Sequence, residues 1–236
     1  MIAPIRLLTA AIAASLLLVS PLVAPNANAT TTSIVLDGVH VALPYGTSQV
    51  ITVRPTSRTY ARVTLWARTS TGRWLVSLRT TSGRTGSGGL VQGDLRRQGT
   101  DTTPMGTYSL PFAFGVDTVP GETYPFHHVT SADWWVEDND SIYYNRLRSS
   151  HAGFRWWLSS NLINSSEHLI DHRPQYDLAV VIGFNYAHPV HYRGAGIFLH
   201  VNGSGATGGC VSAPRAFVYN TIHRLRVSMH PVIAIG

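Results

Sequence analysis

The chain has a single cysteine in 236 residues and no lysine; all 18 of its basic side chains are arginine, against 12 acidic ones. A lone thiol excludes an internal disulfide, so no disulfide framework holds the fold. With 12 acidic residues some pair of carboxyls is always available, but no motif singles one out, so a glycosidase is not the expected reading. The arginines are scattered rather than gathered into a stripe interleaved with aromatics, so nucleic acid is not an expected partner. Internal repeats are absent. Beyond an N-terminal run from Leu7 to about Val19, no segment reaches the roughly 20 apolar residues of a spanning helix.

That N-terminal run has a reading of its own. Arg6 precedes it, Pro21 and Pro25 follow it, and Ala27-Asn28-Ala29 closes it. A basic start, a short apolar middle and an A-x-A end describe a secretory signal peptide over residues 1–29. The expectation is an exported protein of the cell envelope, with no stable membrane insertion after cleavage. Without the signal about 207 residues remain, enough for one domain, and a monomer is expected. The formal charge, +6 for the whole chain, suits an anionic envelope through long-range attraction. An exported compartment oxidises thiols and favours paired cysteines. The unpaired one is therefore either a small buried hydrophobe or a reactive group.

From Ile34 to Leu78 the chain alternates runs rich in Val, Ile, Leu, Thr and Trp with Gly, Pro and Ser turns, the signature of strands. Residues 30–46 read as an N-terminal segment packing on, or leading into, the domain at 47–236. Ser82 to Gly106 is polar and glycine-rich, and reads as a long surface loop framing a strand or two, of the kind that holds binding residues. Spacing at "SSHAGFRWWLSSNLI" places Phe154, Trp157, Leu158 and Leu162 on one helical face. "YDLAVVIGFNY" and "GAGIFLHV" read as buried strands. Ser212 is a candidate cap for a helix with Pro214 in its first turn and Phe217, Val218, Ile222 and Leu225 inward. The sum is one mainly β domain with a few short helices.

The cysteine, Cys210, lies in "HVNGSGATGGCVSAP", ten residues after His200. A thiol is a nucleophile as thiolate, and its pKa falls beside a histidinium or at a helix N-terminus. The turn between the two residues can bring their side chains together, and its glycines allow tight or left-handed backbone. The N–H groups of Gly208, Gly209 and Cys210 are candidate oxyanion donors. This is the logic of covalent acyl transfer, with His200 as base and then acid.

"IFLHVNGSGATGGCVSAP" resembles the catalytic motif of the L,D-transpeptidases, the YkuD-type domain. That family has a histidine on a strand, a small-residue loop and then Ser/Thr-x-Gly-Cys, which Thr207-Gly208-Gly209-Cys210 fits. "RRQGTDTTPMGTYSL", "YYNRL", "SEHLI" and "YDLAVVIGFNY" follow in the order of an actinobacterial branch, so the resemblance spans about residues 47–236. It implies a β-sandwich-like catalytic domain acting on peptidoglycan stem peptides, without a cofactor. Cys210 would take the acyl group of a diamino acid at the third stem position, releasing D-alanine. An amine of a neighbouring stem would then resolve the thioester to a 3-3 cross-link. Thr207, Ser212, Tyr192 and Arg193 are candidate substrate contacts. The chain departs from the pattern at Gly208, where many members carry a second histidine, and at Ser212, where many carry arginine or asparagine.

Alternatives stay open at this point. Water or a free D-amino acid could resolve the same thioester, giving an L,D-carboxypeptidase or an exchange enzyme, and a non-catalytic wall-binding module would not need the thiol. A papain-like endopeptidase has its cysteine before its histidine. A sortase needs a wider gap between the two, and an arginine on the strand after the cysteine. His188 and His191 are spaced for zinc on a helix, but Pro189 argues for a loop and no metal is expected. The acids Asp133, Glu137, Asp138 and Asp140 lack the glycine turn of a calcium loop and read as a solvated loop.

Overall fold

The computed structural model describes residues 32–160 and 162–236; the signal-peptide reading lies outside them. In chain order the strands are β1 (Thr32–Leu36), β2 (Val39–Leu43), β3 (Gln49–Pro55), β4 (Tyr60–Arg68), β5 (Trp74–Arg84), β6 (Leu90–Gln92), β7 (Thr103–Ser109) and β8 (Ala113–Gly115). They continue as β9 (Phe126–His128), β10 (Asp133–Val136), β11 (Arg146–Ser149), β12 (Glu167–His168), β13 (Ala179–Val181), β14 (Phe198–Val201), β15 (Val211–Ala213) and β16 (Val232–Ile235). The α-helix α1 spans Arg215–Arg224. No helix among the described residues is long and apolar enough to cross a membrane.

Eleven strands form one sheet in the order β6-β7-β16-β3-β4-β5-β15-β14-β13-β8-β9. The sheet cannot be flat. Ile51 and Val53 of β3, Val63 and Leu65 of β4 and Ile233 of β16 share one aliphatic core with Val180 of β13, Leu199 of β14 and Val211 of β15. Strands from the two ends of the sheet order therefore face each other, which requires it to curl. The join is narrow: β5 pairs with β15 only at Arg84 and Ser212, supported by a bridge between Gly86 and Thr207.

The helix closes this core with Phe217, Val218 and Ile222, followed by Leu225. The inward set is the one expected from spacing, but the start is not. Ser212 lies inside β15, Pro214 is the N-cap, and Ser212 Oγ hydrogen bonds Asn202 Oδ1 at 2.7 Å instead of capping. The β14–β15 pairing extends through Ala213, so Ser212 is held extended and the chain can turn helical only after Pro214. The second helical expectation fails as well. Residues 150–152 make a single 3-10 turn, Phe154 is buried, and Trp157 and Leu162 are exposed at 64% and 50%. Trp134 takes up the aromatic contacts there, tilted on Trp156 and edge-on to Phe154, so local turns replace a continuous helix.

The hairpin β1–β2 forms its own two-stranded sheet. It lays Val39 and Val41 over Val50, Val232 and Ala234 on the outer face of β3 and β16. Residues 32–43 thus pack on the domain. A third sheet, β11-β10-β12, covers the other half of the molecule. Trp135 of β10 reaches under it to Phe114 and Phe198, in a cluster that includes Cys210.

Candidate functional site

The parallel pairing of β14 and β15 sets Leu199 opposite Val211 and His200 opposite Ser212. Continued by one residue, that register places Cys210 beside Phe198, whose N–H donates to Cys210 Sγ at 3.3 Å. Side chains alternate along strands, so His200 and Cys210 emerge on the same face. Both line one cavity of about 400 Å³, together with Arg96, Glu137, Glu167, His172, Gln175, Tyr176 and the loop from Gly203 to Gly208. They are nearly buried, at 6% and 7% exposure.

His200 Nδ1 lies 2.8 Å from the Val201 carbonyl oxygen. A carbonyl can only accept, so Nδ1 holds the proton and, in a neutral ring, Nε2 has the lone pair. Burial lowers the His200 pKa to about 4, with the neighbouring His172 contributing in the same direction. Burial also pushes the Cys210 thiol up, and Glu167 and Glu137 add to the effect. The S–H donates to the Gly196 carbonyl at 3.2 Å. At neutral pH the resting pair is therefore thiol and neutral imidazole, not the thiolate and imidazolium that the spacing suggests. The helix gives no help. It starts at Arg215, with all of β15 between its first turn and Cys210.

The glycines before Cys210 have distinct jobs. Gly209 has φ +124°, and a Cβ there would meet Arg96 Nη2 at 2.8 Å and the Thr102 carbonyl at 2.9 Å. Its N–H donates to Thr207 Oγ1 at 3.2 Å, so it is not free for an oxyanion in this conformation. Thr207 Oγ1 in turn donates to the Cys210 carbonyl at 2.6 Å and closes the turn. Gly208 has more room: a methyl group there would meet only Asp101 Oδ1, at 3.7 Å. Ser212 is fully buried on its bond to Asn202, outside the cavity wall. Tyr192 is exposed at 53% and Arg193 borders a different depression near Tyr108 and Phe184, so neither side chain lines this cavity.

Much of the wall comes from residues that the spacing around Cys210 does not single out. Arg96, buried at 4% exposure, is fastened through Nε to the Thr102 carbonyl at 2.8 Å and through Nη1 to the Arg193 carbonyl at 3.2 Å. Its Nη2, held by neither, points at Gly209. Asn145, in a left-handed conformation at φ +57°, accepts from the N–H of Gly196 at 3.1 Å and from Trp135 Nε1 at 2.9 Å. It also donates to the Phe184 and Asn185 carbonyls. That clamp fixes Gly196, whose carbonyl receives the Cys210 thiol. The one signal for Asn145 is its place in "YYNRL"; nothing in spacing links it to Cys210.

The acidic group expected as a solvated loop divides in the structure. Asp138 is held below the usual carboxylate range by Arg155, which reaches it through Nε at 2.7 Å. Asp133 is likewise lowered, by bonds from Thr130 and His127, against the opposing effect of burial. Glu137 instead turns into the cavity, because strand alternation from the buried Trp135 directs it inward. Among the described residues no group of three His, Cys, Asp or Glu side chains is placed to hold a metal.

In comparison with known proteins, no family model, no curated protein and no solved structure matches this chain.

Proposed function

We propose that this protein is an exported cysteine acyltransferase of the L,D-transpeptidase type, working on peptidoglycan stem peptides from a β-sandwich-like domain. The observation that carries the reading is the shared cavity of Cys210 and His200, with Nδ1 occupied by the Val201 carbonyl and Nε2 left as base. The motif from Ile197 to Pro214 supports the substrate class.

The neutral resting pair sets the order of events. The thiol rotates from the Gly196 carbonyl and attacks the substrate carbonyl carbon while its proton passes to His200 Nε2. Attack without a preformed thiolate suits a buried site, because no isolated charge has to be desolvated first. The oxyanion of the tetrahedral intermediate is met by the N–H groups of Gly208 and Cys210 and by Arg96 Nη2. As the intermediate collapses, the carbon–nitrogen bond breaks, the leaving amine takes the proton from His200 and a Cys210 thioester remains. An incoming amine attacks the thioester, gives its proton to His200, and the thiol is regenerated. Water in place of the amine yields the carboxypeptidase outcome from the same residues.

Intact-mass measurement after incubation with tetrapeptide muropeptides tests the reading. The expected result is an acyl adduct on the wild-type chain and none on Cys210→Ser. Folded, reduced wild-type protein without an adduct overturns it. A non-catalytic wall-binding module predicts unchanged wall binding in Cys210→Ser and no adduct in either protein.

A further inference from the structure

Arginines that are dispersed along the sequence are gathered by the sheet. Ala61, Val63 and Leu65 of β4 face the aliphatic core, so by alternation Tyr60, Arg62, Thr64 and Trp66 lie on the outer face. On β3, Arg54 stands directly opposite Arg62. On β5, Arg79 is opposite Thr64 and Arg84 is opposite Tyr60, which puts both diagonal to Arg62. Four arginines on three adjacent strands thus cluster around one of their number, with backbones roughly 5–8 Å apart. Like charges placed this way repel each other and call for anions between them.

The protein supplies one. Asp37, at the tip of the β1–β2 hairpin, accepts from Arg62 Nε and Nη2, each at 2.6 Å, and stands 3.8 Å from Arg54 Nη1. Among the described residues no acid lies within 4.0 Å of Arg79 or Arg84. Arg79 is exposed and donates only through Nε, to Thr64 Oγ1 at 3.2 Å, so its two terminal nitrogens face outward uncommitted. Its guanidinium lies over the Trp66 ring at 5.7 Å, and that of Arg84 lies over the Tyr60 ring at 5.5 Å. Trp66 also packs on the cluster beneath the hairpin and donates Nε1 to Thr52 Oγ1. These rings support guanidiniums and are not open platforms on which bases stack. Arg84 ends the cluster beside the cavity. It pairs with Ser212 of β15, and Gly86, two residues on, bridges Thr207 of the cavity wall.

We propose that this outer face of β3–β5 docks a linear polyanion with phosphodiester charges, a polyol-phosphate polymer of the cell envelope. Charge complementarity carries the choice: four guanidiniums share one carboxylate, and each guanidinium fork matches the two free oxygens of a phosphodiester. A polymer that repeats its charge along a flexible chain meets several arginines at once. The site goes beyond acyl transfer and does not depend on it. Docking there holds the cavity mouth beside the polymer.

The probe is labelled poly(glycerol phosphate), titrated with the full chain at pH 7 in about 0.1 M salt. Arg79→Gln combined with Arg84→Gln should weaken binding by at least about tenfold and lower the slope of log K against log salt by about 1–2. Arg146→Gln combined with Arg148→Gln removes the same charge from β11, where both arginines also lie over aromatic rings. That pair should weaken binding by less than about threefold. Both variants are checked for folding by thermal unfolding. Equal losses in the two overturn the proposal, because binding would then follow net charge alone. The remaining arms use wild type and need no variant to fold. A single-stranded oligonucleotide with the same number of phosphates should bind no tighter than the polymer; tighter binding overturns the proposal in favour of nucleic acid. Phosphatidylglycerol vesicles at the same phosphate concentration should bind more weakly, since the rings lie against guanidiniums and do not stand clear to enter an acyl layer. Vesicle binding as tight as polymer binding overturns the proposal in favour of a membrane surface, and wild type that fails to bind the polymer overturns it outright.

Discussion

The two faces of β14 and β15 look onto different surroundings. One face presents Leu199, Val201, Val211 and Ala213 to the aliphatic core beneath α1. The other presents Phe198, His200 and Cys210 to an aromatic and polar layer under β10. The backbone is common to both, so the same ladder of hydrogen bonds serves a dry core and a cavity. Core and cavity are thus separated by strand alternation, not by distance along the chain. A residue and its neighbour can have opposite jobs.

The comparison can be broken first from the dry side. Leu199 is fully buried, and Leu199→Ala should lower unfolding free energy by about 2–5 kcal/mol, as measured by urea titration. The thiol's reactivity toward iodoacetamide in the native state should change far less. A large rise in reactivity at low urea would mean that the two faces are not mechanically separate.

On the site face, pH is the sharper probe. His200 has a folded pKa of about 4 against an ordinary value of 6.5. The unfolded chain binds its proton first, so the contribution of His200 is full above pH 6.5 and is lost as pH falls towards 4. The total is at most about 3 kcal/mol. The raised carboxyls of Glu137 and Glu167 act oppositely, taking up protons in the folded state and losing stability as pH rises. The useful quantity is therefore the difference between wild type and His200→Gln. Wild type should lose stability relative to the variant between pH 6.5 and 4; parallel curves would show that the imidazole is not held neutral by burial.

The third test is the turn. Gly209→Ala must adopt φ +124° and press on the Thr102 carbonyl, at a cost of about 1–3 kcal/mol in thermal or urea unfolding. Gly208→Ala, with open space and no left-handed backbone, should cost under about 1 kcal/mol. Equal effects would show that the turn is looser than its hydrogen bonds indicate.

Part of this fold is legible in the residues alone. Thr, Val and Ile runs mark β3, β4, β13, β14 and β16, because alternation and continuous apolarity reflect which faces are buried. The inward side of α1 is legible for the same reason, with a period of 3.6. Its first residue is not, since pairing of β15 with β14 extends the chain through Ser212 and overrides a local cap. The helix expected over Ser149 to Ile163 fails because apolar spacing persists in a segment whose aromatics pack as turns around Trp134.

For the site, the sequence by itself determined the thiol, its histidine neighbour and the glycines of the turn. These lie within eleven residues, so local chemistry suffices to connect them. Only the tertiary structure decided the rest of the cavity. Arg96, Glu137 and Glu167 line it from three separate segments, Asn145 clamps Gly196 from a fourth, and no spacing rule joins them to Cys210. The ionisation state was decided there too. Proximity in sequence suggests a charged Cys–His pair, whereas desolvation, a property of the whole enclosing wall, holds both groups neutral.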